Sequence, residues 1–170
     1  FVTSILNHRI ENAIATHEKE YRDYLTRAYN RRGFVYMVER FLNHCEDRTR
    51  YGILYFNIKN FKATNELLGV KEGDCILQSF CKSIERSFLH PVYTARVEAD
   101  HFVSFVERDR ISLKKLEEFC NQTFEIYNKK IRVHSCCGIF YLKDENMPVA
   151  GMVDRAKLAK QHIVDEYLKP

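Results

Sequence analysis

The stretch Arg96-Val97-Glu98-Ala99-Asp100-His101-Phe102 stands between two runs rich in strand-forming residues, Val92–Val97 and Phe102–Val106. Two such runs joined by a short polar stretch read as a hairpin with the polar residues at its tip. Upstream, Tyr51–Ile58 is a near-continuous apolar run, the pattern of a strand buried on both faces. A short helix is predicted over Phe61–Leu68, ended by Gly69. A longer one starts near Gly73, with Ile76, Leu77, Phe80, Cys81 and Ile84 at helical spacing. Before the strand, a helix from Arg31 to about Cys45 places Phe34, Val38 and Phe41 on one face. After the hairpin, Ser112 suits the N-cap of a helix burying Leu116, Phe119, Cys120 and Phe124. Ile131–Leu142 reads as a strand or hairpin, and Met152–Leu168 as a closing helix.

The order strand, helices, hairpin, helix, strand, helix predicts a ferredoxin-like α+β fold, a central, mostly antiparallel sheet with helices on one face. At 170 residues the chain fits one domain, or one domain with an appendage, and 12 phenylalanines supply a substantial core. No apolar run reaches the roughly 18 residues of a membrane span. The chain starts at Phe1 without a signal-peptide pattern, so it reads as a piece of a longer protein. A cytoplasmic location is expected for it, whether or not the parent protein is membrane-bound. The net charge of +4 is mild and its basic residues are interleaved with acidic ones, so no nucleic-acid footprint is present. Residues 1–22 carry apolar positions at Val2, Leu6, Ile10, Ala13 and Ile14, a narrow helical stripe. They read either as a helix lying on its own domain or as an N-terminal connector helix that pairs with its copy in a homodimer. The domain proper then spans residues 23–170. The six cysteines contain no C-x-x-C pair and read as reduced thiols.

Two motifs carry a resemblance. One is Asp23-x-Leu25-Thr26-x-x-Tyr29-Asn30-Arg31-Arg32-x-Phe34. The other is Asn57-x-x-Asn60-Phe61-Lys62-x-x-Asn65 with Gly73-Asp74 further on. Together with the hairpin tip, they resemble the GGDEF family of diguanylate cyclases, which make cyclic di-GMP from two GTP molecules. The resemblance covers roughly Asp23 to Lys160. It implies the nucleotide-cyclase fold and a site in which two magnesium ions, held by carboxylates, bridge the triphosphate. Magnesium favours anionic oxygen ligands in octahedral geometry and stabilises the charge of in-line phosphoryl transfer.

Carried over residue by residue, the site departs from the family pattern. The tip reads Glu98-Ala99-Asp100-His101-Phe102 in place of Gly-Gly-Asp-Glu-Phe. The resemblance places metal ligands at Asn57, Asp100 and His101. Asn57 is a neutral amide, and imidazole is a poor magnesium ligand. Asp100 alone keeps a carboxylate, as a catalytic remnant or simply as a turn residue. Glu98 adds a side chain and a negative charge where the triphosphate should lie, and Ala99 adds a Cβ. The guanine-recognition positions are retained in Asn65 and Asp74. Asp74 equally suits a helix N-terminus and Asn65 a polar helix face. Lys62, Arg96 and, in an ambiguous register, Lys160 match positions near the phosphates; Lys62 and Arg96 are equally ordinary surface residues. The family's Arg-x-x-Asp product site falls at Leu89 and Val92, so product feedback is not expected there.

The resemblance therefore implies a degenerate GGDEF domain of a cyclic di-GMP signalling protein. It is expected to lack cyclase activity and to act as a regulatory module binding GTP or another guanine nucleotide. Adjoining EAL phosphodiesterase and sensor domains fit this reading, with His162–Tyr167 and Pro170 leading onward. Two alternatives stay open. One is an active cyclase in which Asn57, Asp100 and water hold magnesium or manganese. The other is a nucleotide-free dimerisation and signal-relay scaffold.

Overall fold

The computed structural model describes residues 2–167. In chain order the elements are α1 (Val2–Tyr21), α2 (Arg31–Asn43), β1 (Tyr51–Ile58), α3 (Phe61–Leu68), α4 (Val70–Glu85), β2 (Tyr93–Glu98), β3 (His101–Glu107), α5 (Leu113–Phe119), β4 (Asn121–Ile126), β5 (Lys129–Tyr141) and α6 (Val149–Tyr167). The sheet runs β2-β3-β1-β5-β4, and every neighbouring pair is antiparallel. The chain leaves β1, crosses through α3 and α4 to β2, and returns through the hairpin to insert β3 beside β1. This is the split crossover of a ferredoxin-like α+β fold, as expected.

The expectation of helices on one face is corrected: they cover both. Successive side chains of a strand point to opposite faces, and residues 52–56 of β1 are buried throughout. Ile53 and Tyr55 pack with Phe34 and Val38 of α2 and with Met152, Val153 and Ala156 of α6. Leu54 and Phe56 pack on the other side with Ile76, Phe80 and Ile84 of α4 and with Leu116 of α5. A strand apolar at every position requires this double cover.

Three further differences have local causes. Helix α4 starts at Val70 rather than near Gly73, because Gly69, at φ 101, ends α3 and begins α4 at one residue. Asp74 therefore lies beyond the first turn of α4, where the acidic residue is Glu72, and is not the helix-terminal carboxylate considered above. Helix α5, capped by Ser112 as expected, ends at Phe119, and Phe124 belongs to strand β4. Gln122, Phe124 and Ile126 alternate inward along β4 with period two. The β4–β5 hairpin turns through Tyr127 and Asn128, both at positive φ, the primed two-residue turn that matches strand twist. All six cysteines are unpaired.

Helix α1 joins the domain through Asn30, whose Nδ2 donates to the Glu20 carbonyl at 2.9 Å while its Oδ1 accepts from the Gly33 amide at 2.8 Å. One asparagine thus closes α1 and caps α2. Leu6 and Ile14, from the stripe expected on α1, are exposed. The side chains of Val2, Ile10 and residues 162–167, and Pro170, where a lead into a further domain is expected, lie outside the described residues.

Two backbone positions place the functional end of the sheet. At Gly138 of β5, an added Cβ would lie 2.0 Å from the Ala156 carbonyl oxygen and 2.6 Å from the Lys160 nitrogen. The absence of a side chain there lets α6 seat directly on the sheet. The β2–β3 turn consists of Ala99 and Asp100 between the paired residues Glu98 and His101. Ala99 has φ 36, in the region that favours glycine. The turn is held by Arg96, whose Nε donates to the Ala99 carbonyl at 2.6 Å, and by the Ile58 amide donating to the Asp100 carbonyl at 3.3 Å.

Gly138→Ala should destabilise the domain by about 2 kcal/mol or more, because backbone must move to admit the methyl group. Urea denaturation checks this, and an unchanged midpoint would contradict the close seating of α6. Ala99→Gly should stabilise the fold by at most about 1 kcal/mol, since relief of the left-handed strain is partly offset by the freer unfolded chain. A loss of stability in the same assay would show that the turn does not hold Ala99 at positive φ.

Candidate functional site

Asn57 sits opposite His101 of β3 and Cys136 of β5. The three side chains form a row across one end of the sheet, on the face covered by α6. Above them, the docking at Gly138 brings Lys157 and Lys160 to the row from successive turns of α6. Tyr55, one inward position earlier on β1, lies beneath: the ammonium groups of Lys157 and Lys160 stand 5.8 and 5.7 Å from its ring centre.

Two linked chains of polar contacts result. In the first, the Asn57 Nδ2 donates to Asp100 Oδ2 at 2.8 Å, and the Lys160 Nζ donates to Asn57 Oδ1 at 3.4 Å. The Cys136 thiol stands 3.7 Å from the same Oδ1. This orientation of the amide is the one its neighbours allow, since the reverse would set oxygen against carboxylate and NH₂ against ammonium. In the second chain, the Tyr55 hydroxyl lies 2.7 Å from His101 Nδ1 and 3.4 Å from Glu98 Oε1, and Glu98 pairs with Lys157 at 2.9 Å.

Burial, assisted by unfavourable charge nearby, raises the Tyr55 hydroxyl well above its ordinary value, so it stays protonated. Its one proton is directed to Glu98 Oε1 at 3.4 Å, so the hydroxyl oxygen accepts from His101 Nδ1–H at 2.7 Å, and His101 Nε2 stands 3.8 Å from Asp100 Oδ1, beyond hydrogen-bond distance. Burial is also the main influence that lowers the His101 pKa, with Lys160 and Lys157 adding to it against the pull of Asp100 and Glu98. The neutral imidazole is engaged with Tyr55 through Nδ1. Glu98 is lowered chiefly by its hydrogen bond from Lys157. The negative charge that Glu98 brings to the tip is therefore partly neutralised, and Lys157 is occupied in doing so.

The donor set does not fit magnesium. One Asp100 oxygen accepts from an amide, the Asn57 oxygen faces an ammonium, and the His101 imidazole offers nitrogen where magnesium favours anionic oxygen. Among the described residues no group of three His, Cys, Asp or Glu side chains is arranged to hold a metal ion.

The positions expected to recognise guanine lie on the α3–α4 pair. A Cβ on Gly73 would fall 1.7 Å from Asn65 Oδ1, so Gly73 is what lets the Asn65 side chain lie against α4, next to Asp74. The Asn65 Oδ1 is buried with no hydrogen-bond partner among the described residues. Asp74 is half-buried and enters no ion pair among the described residues. Lys62 is exposed on α3. Arg96 does not point into the row: it pairs with Asp23 at 3.3 Å and holds the turn at the Ala99 carbonyl, so it ties the Asp23–Thr26 segment to the tip. Leu89 is buried in the core. A cleft of about 880 Å³ on the opposite face, floored by Ile58, Leu116, Val133 and Cys137, includes none of these expected residues.

The sequence reading missed Tyr55, Lys157 and Cys136. Tyr55 was legible as an inward position of β1, two residues before Asn57. Lys157 precedes Lys160 by three, on the same helix face. Cys136 depends on the β1–β5 register, for which no local signal exists.

Residues 20–162 match the family described as "Diguanylate cyclase, GGDEF domain". Among curated proteins, the chain is 34% identical over 89 residues to the biofilm architecture maintenance protein MbaA of Vibrio cholerae, a match covering 47% of this chain and 11% of that protein. It is 25% identical over 125 residues to MucR of Pseudomonas aeruginosa, a bifunctional diguanylate cyclase/cyclic di-GMP phosphodiesterase, covering 71% of this chain and 18% of that one. The chain thus spans less than a fifth of either relative's length. In fold it is similar to the coiled coil and GGDEF domain of DgcB from Caulobacter crescentus, crystallised with c-di-GMP. There the TM-score is 0.78 at 18% identity, covering 97% of this chain and 91% of that one. With the family match running across all five strands and the fold agreeing, this chain belongs to the GGDEF family.

Proposed function

We propose that this chain is a non-catalytic GGDEF domain that binds a guanine nucleotide and serves a larger cyclic di-GMP signalling protein as a regulatory module. The observation that carries the reading is the Asp100–Asn57–Lys160 chain. Two of the three positions where the family holds metal with carboxylates are an amide and an imidazole, both engaged within the protein. Phosphoryl transfer between two GTP molecules depends on metal-borne charge at the reacting phosphate, and neither Asn57 nor His101 is a carboxylate that would hold the metal.

Nucleotide recognition is supported by a different part of the molecule. Gly73 is required for Asn65 to lie where it does, and among the described residues that asparagine carries a buried oxygen without a hydrogen-bond partner, while Asp74, next to Gly73 in α4, forms no ion pair. Polar groups left without partners in the folded protein are unusual, and a carboxylate can accept from both N1–H and the exocyclic amine of guanine. Residues 1–22 act in this reading as the connector from a sensor, pairing with a second copy through the Leu6 and Ile14 side of α1. Residues 23–170 form the signalling domain, cytoplasmic and placed beside a phosphodiesterase domain. The combination of cyclase and phosphodiesterase in the name of MucR favours that context.

The purified domain should form no cyclic di-GMP from GTP with magnesium or manganese. Each lost electrostatic group of this kind costs on the order of 10²–10³ in rate. Product above the enzyme-free background, abolished by Asp100→Ala, would establish an active cyclase instead. In calorimetric titration GTP should bind more tightly than ATP, and Asp74→Ala should erase the difference, because a site built for one base edge leaves its polar groups unpaired against another. Equal affinities would overturn the guanine reading, and no binding of either nucleotide would favour a pure relay scaffold.

A further inference from the structure

We propose that Lys160, with Lys157, takes the place of the divalent cations at this site, so that the domain receives the phosphate chain of a nucleotide as a metal-free polyanion. This rests on the guanine-nucleotide reading above and specifies how the phosphates are held.

Lys160 is buried to 9% exposure, yet it has no carboxylate within ion-pair distance among the described residues. Its one described polar partner is the neutral Asn57 oxygen at 3.4 Å. The Asn57 amide separates it from the Asp100 carboxylate, and a buried ammonium not in direct contact with a counter-charge is costly. With three donors and one described acceptor, it has N–H groups to spare. An anion arriving at the row would supply both the missing charge and the missing acceptors. Lys157 stands one turn earlier on the same face. Its partner Glu98 is more than half exposed and can swing into solvent when a phosphate takes its place. Asn57 is the complement of this arrangement: an aspartate there would pair with Lys160 and cancel the charge.

The consequence is opposite in sign to that of a metal-carboxylate site. There, magnesium is required for the triphosphate to bind. Here magnesium and the lysines compete for the same phosphate oxygens, and the magnesium-bound nucleotide brings less negative charge to fixed cations. Binding should therefore be strongest with the metal chelated.

Calorimetric titrations of the domain with inorganic tripolyphosphate, GTP and guanosine, each with chelator and with excess magnesium, test this on the wild type and on Lys160→Met, Lys157→Met and Asn57→Asp. Tripolyphosphate and GTP should bind in chelator and weaken when magnesium is added. Lys160→Met should weaken both by about tenfold or more, the worth of one charged hydrogen bond, and Lys157→Met by less. Guanosine should be unaffected by either. Asn57→Asp should also weaken metal-free binding, and it decides the matter if Lys160→Met loses its folded circular-dichroism spectrum. GTP binding that needs magnesium, or metal-free binding indifferent to Lys160 and Asn57, overturns the inference and leaves the guanine reading standing. Metal-free tripolyphosphate binding that follows Lys160, without preference for GTP over ATP, upholds the inference and overturns the guanine reading.

Discussion

The buried centre of β1 organises the rest of the molecule. With β3 on one side and β5 on the other, the backbone donors and acceptors of this strand are satisfied within the sheet, and its side chains have no route to solvent on either face. Ile53, Leu54, Tyr55 and Phe56 are each fully buried. Burial of this kind stabilises by roughly 1.5–3 kcal/mol per large apolar side chain, and it requires helices above and below. Once α2 and α6 occupy one face and α4 and α5 the other, β1 can end only where the hairpin turn crosses it. The polar Asn57, beyond the apolar run, then emerges beside Asp100 and His101.

From that constraint follows the character of the site. Tyr55 still belongs to the core, but its hydroxyl reaches the edge of it and joins His101 to Glu98. The low polarity around these groups makes each polar contact matter more and each unpaired group cost more. The tyrosine keeps its proton, the histidine stays neutral, and the glutamate finds a lysine. At the end of the sheet the two carboxylates, Glu98 and Asp100, are thus matched by two ammonium groups supplied by α6, where the family pattern would collect carboxylates to hold metal. The loss of the family's carboxylates and the placement of the lysines read as one arrangement. An aspartate at Asn57 and a glutamate at His101 would draw Lys160 into ion pairs rather than leave it with a neutral amide as its described partner.

The path from α1 to this site is short and polar. Asn30 fastens the end of α1 to the start of α2, Asp23 holds Arg96, and Arg96 holds the carbonyl of the strained Ala99. Each link is a hydrogen bond or ion pair whose geometry depends on how α1 enters the domain.

Much of this was legible in the residues alone. The apolar run Tyr51–Ile58 and the stretch Phe61–Leu68 became β1 and α3 at the boundaries read from them, because a doubly buried strand and a glycine-terminated helix leave strong local signals. The hairpin tip was legible for the same reason, and the two motifs pointed to the family. Strand β4 was not: it is an edge strand with one inward face, so Phe124 fell at a spacing that also suits a helix, and the Tyr127–Asn128 turn lacks the glycine that usually marks it. Nor could the sequence choose which lysine near the C-terminus reaches the site. That was decided by a contact between distant residues, the missing side chain of Gly138 against the backbone of Ala156 and Lys160. Local sequence determined which residues this protein carries at its strand ends. Only the seating of α6 on the sheet decided that an ammonium, rather than a metal-binding carboxylate cluster, stands among them, because the depth at which a helix docks depends on the shape of the surface it meets.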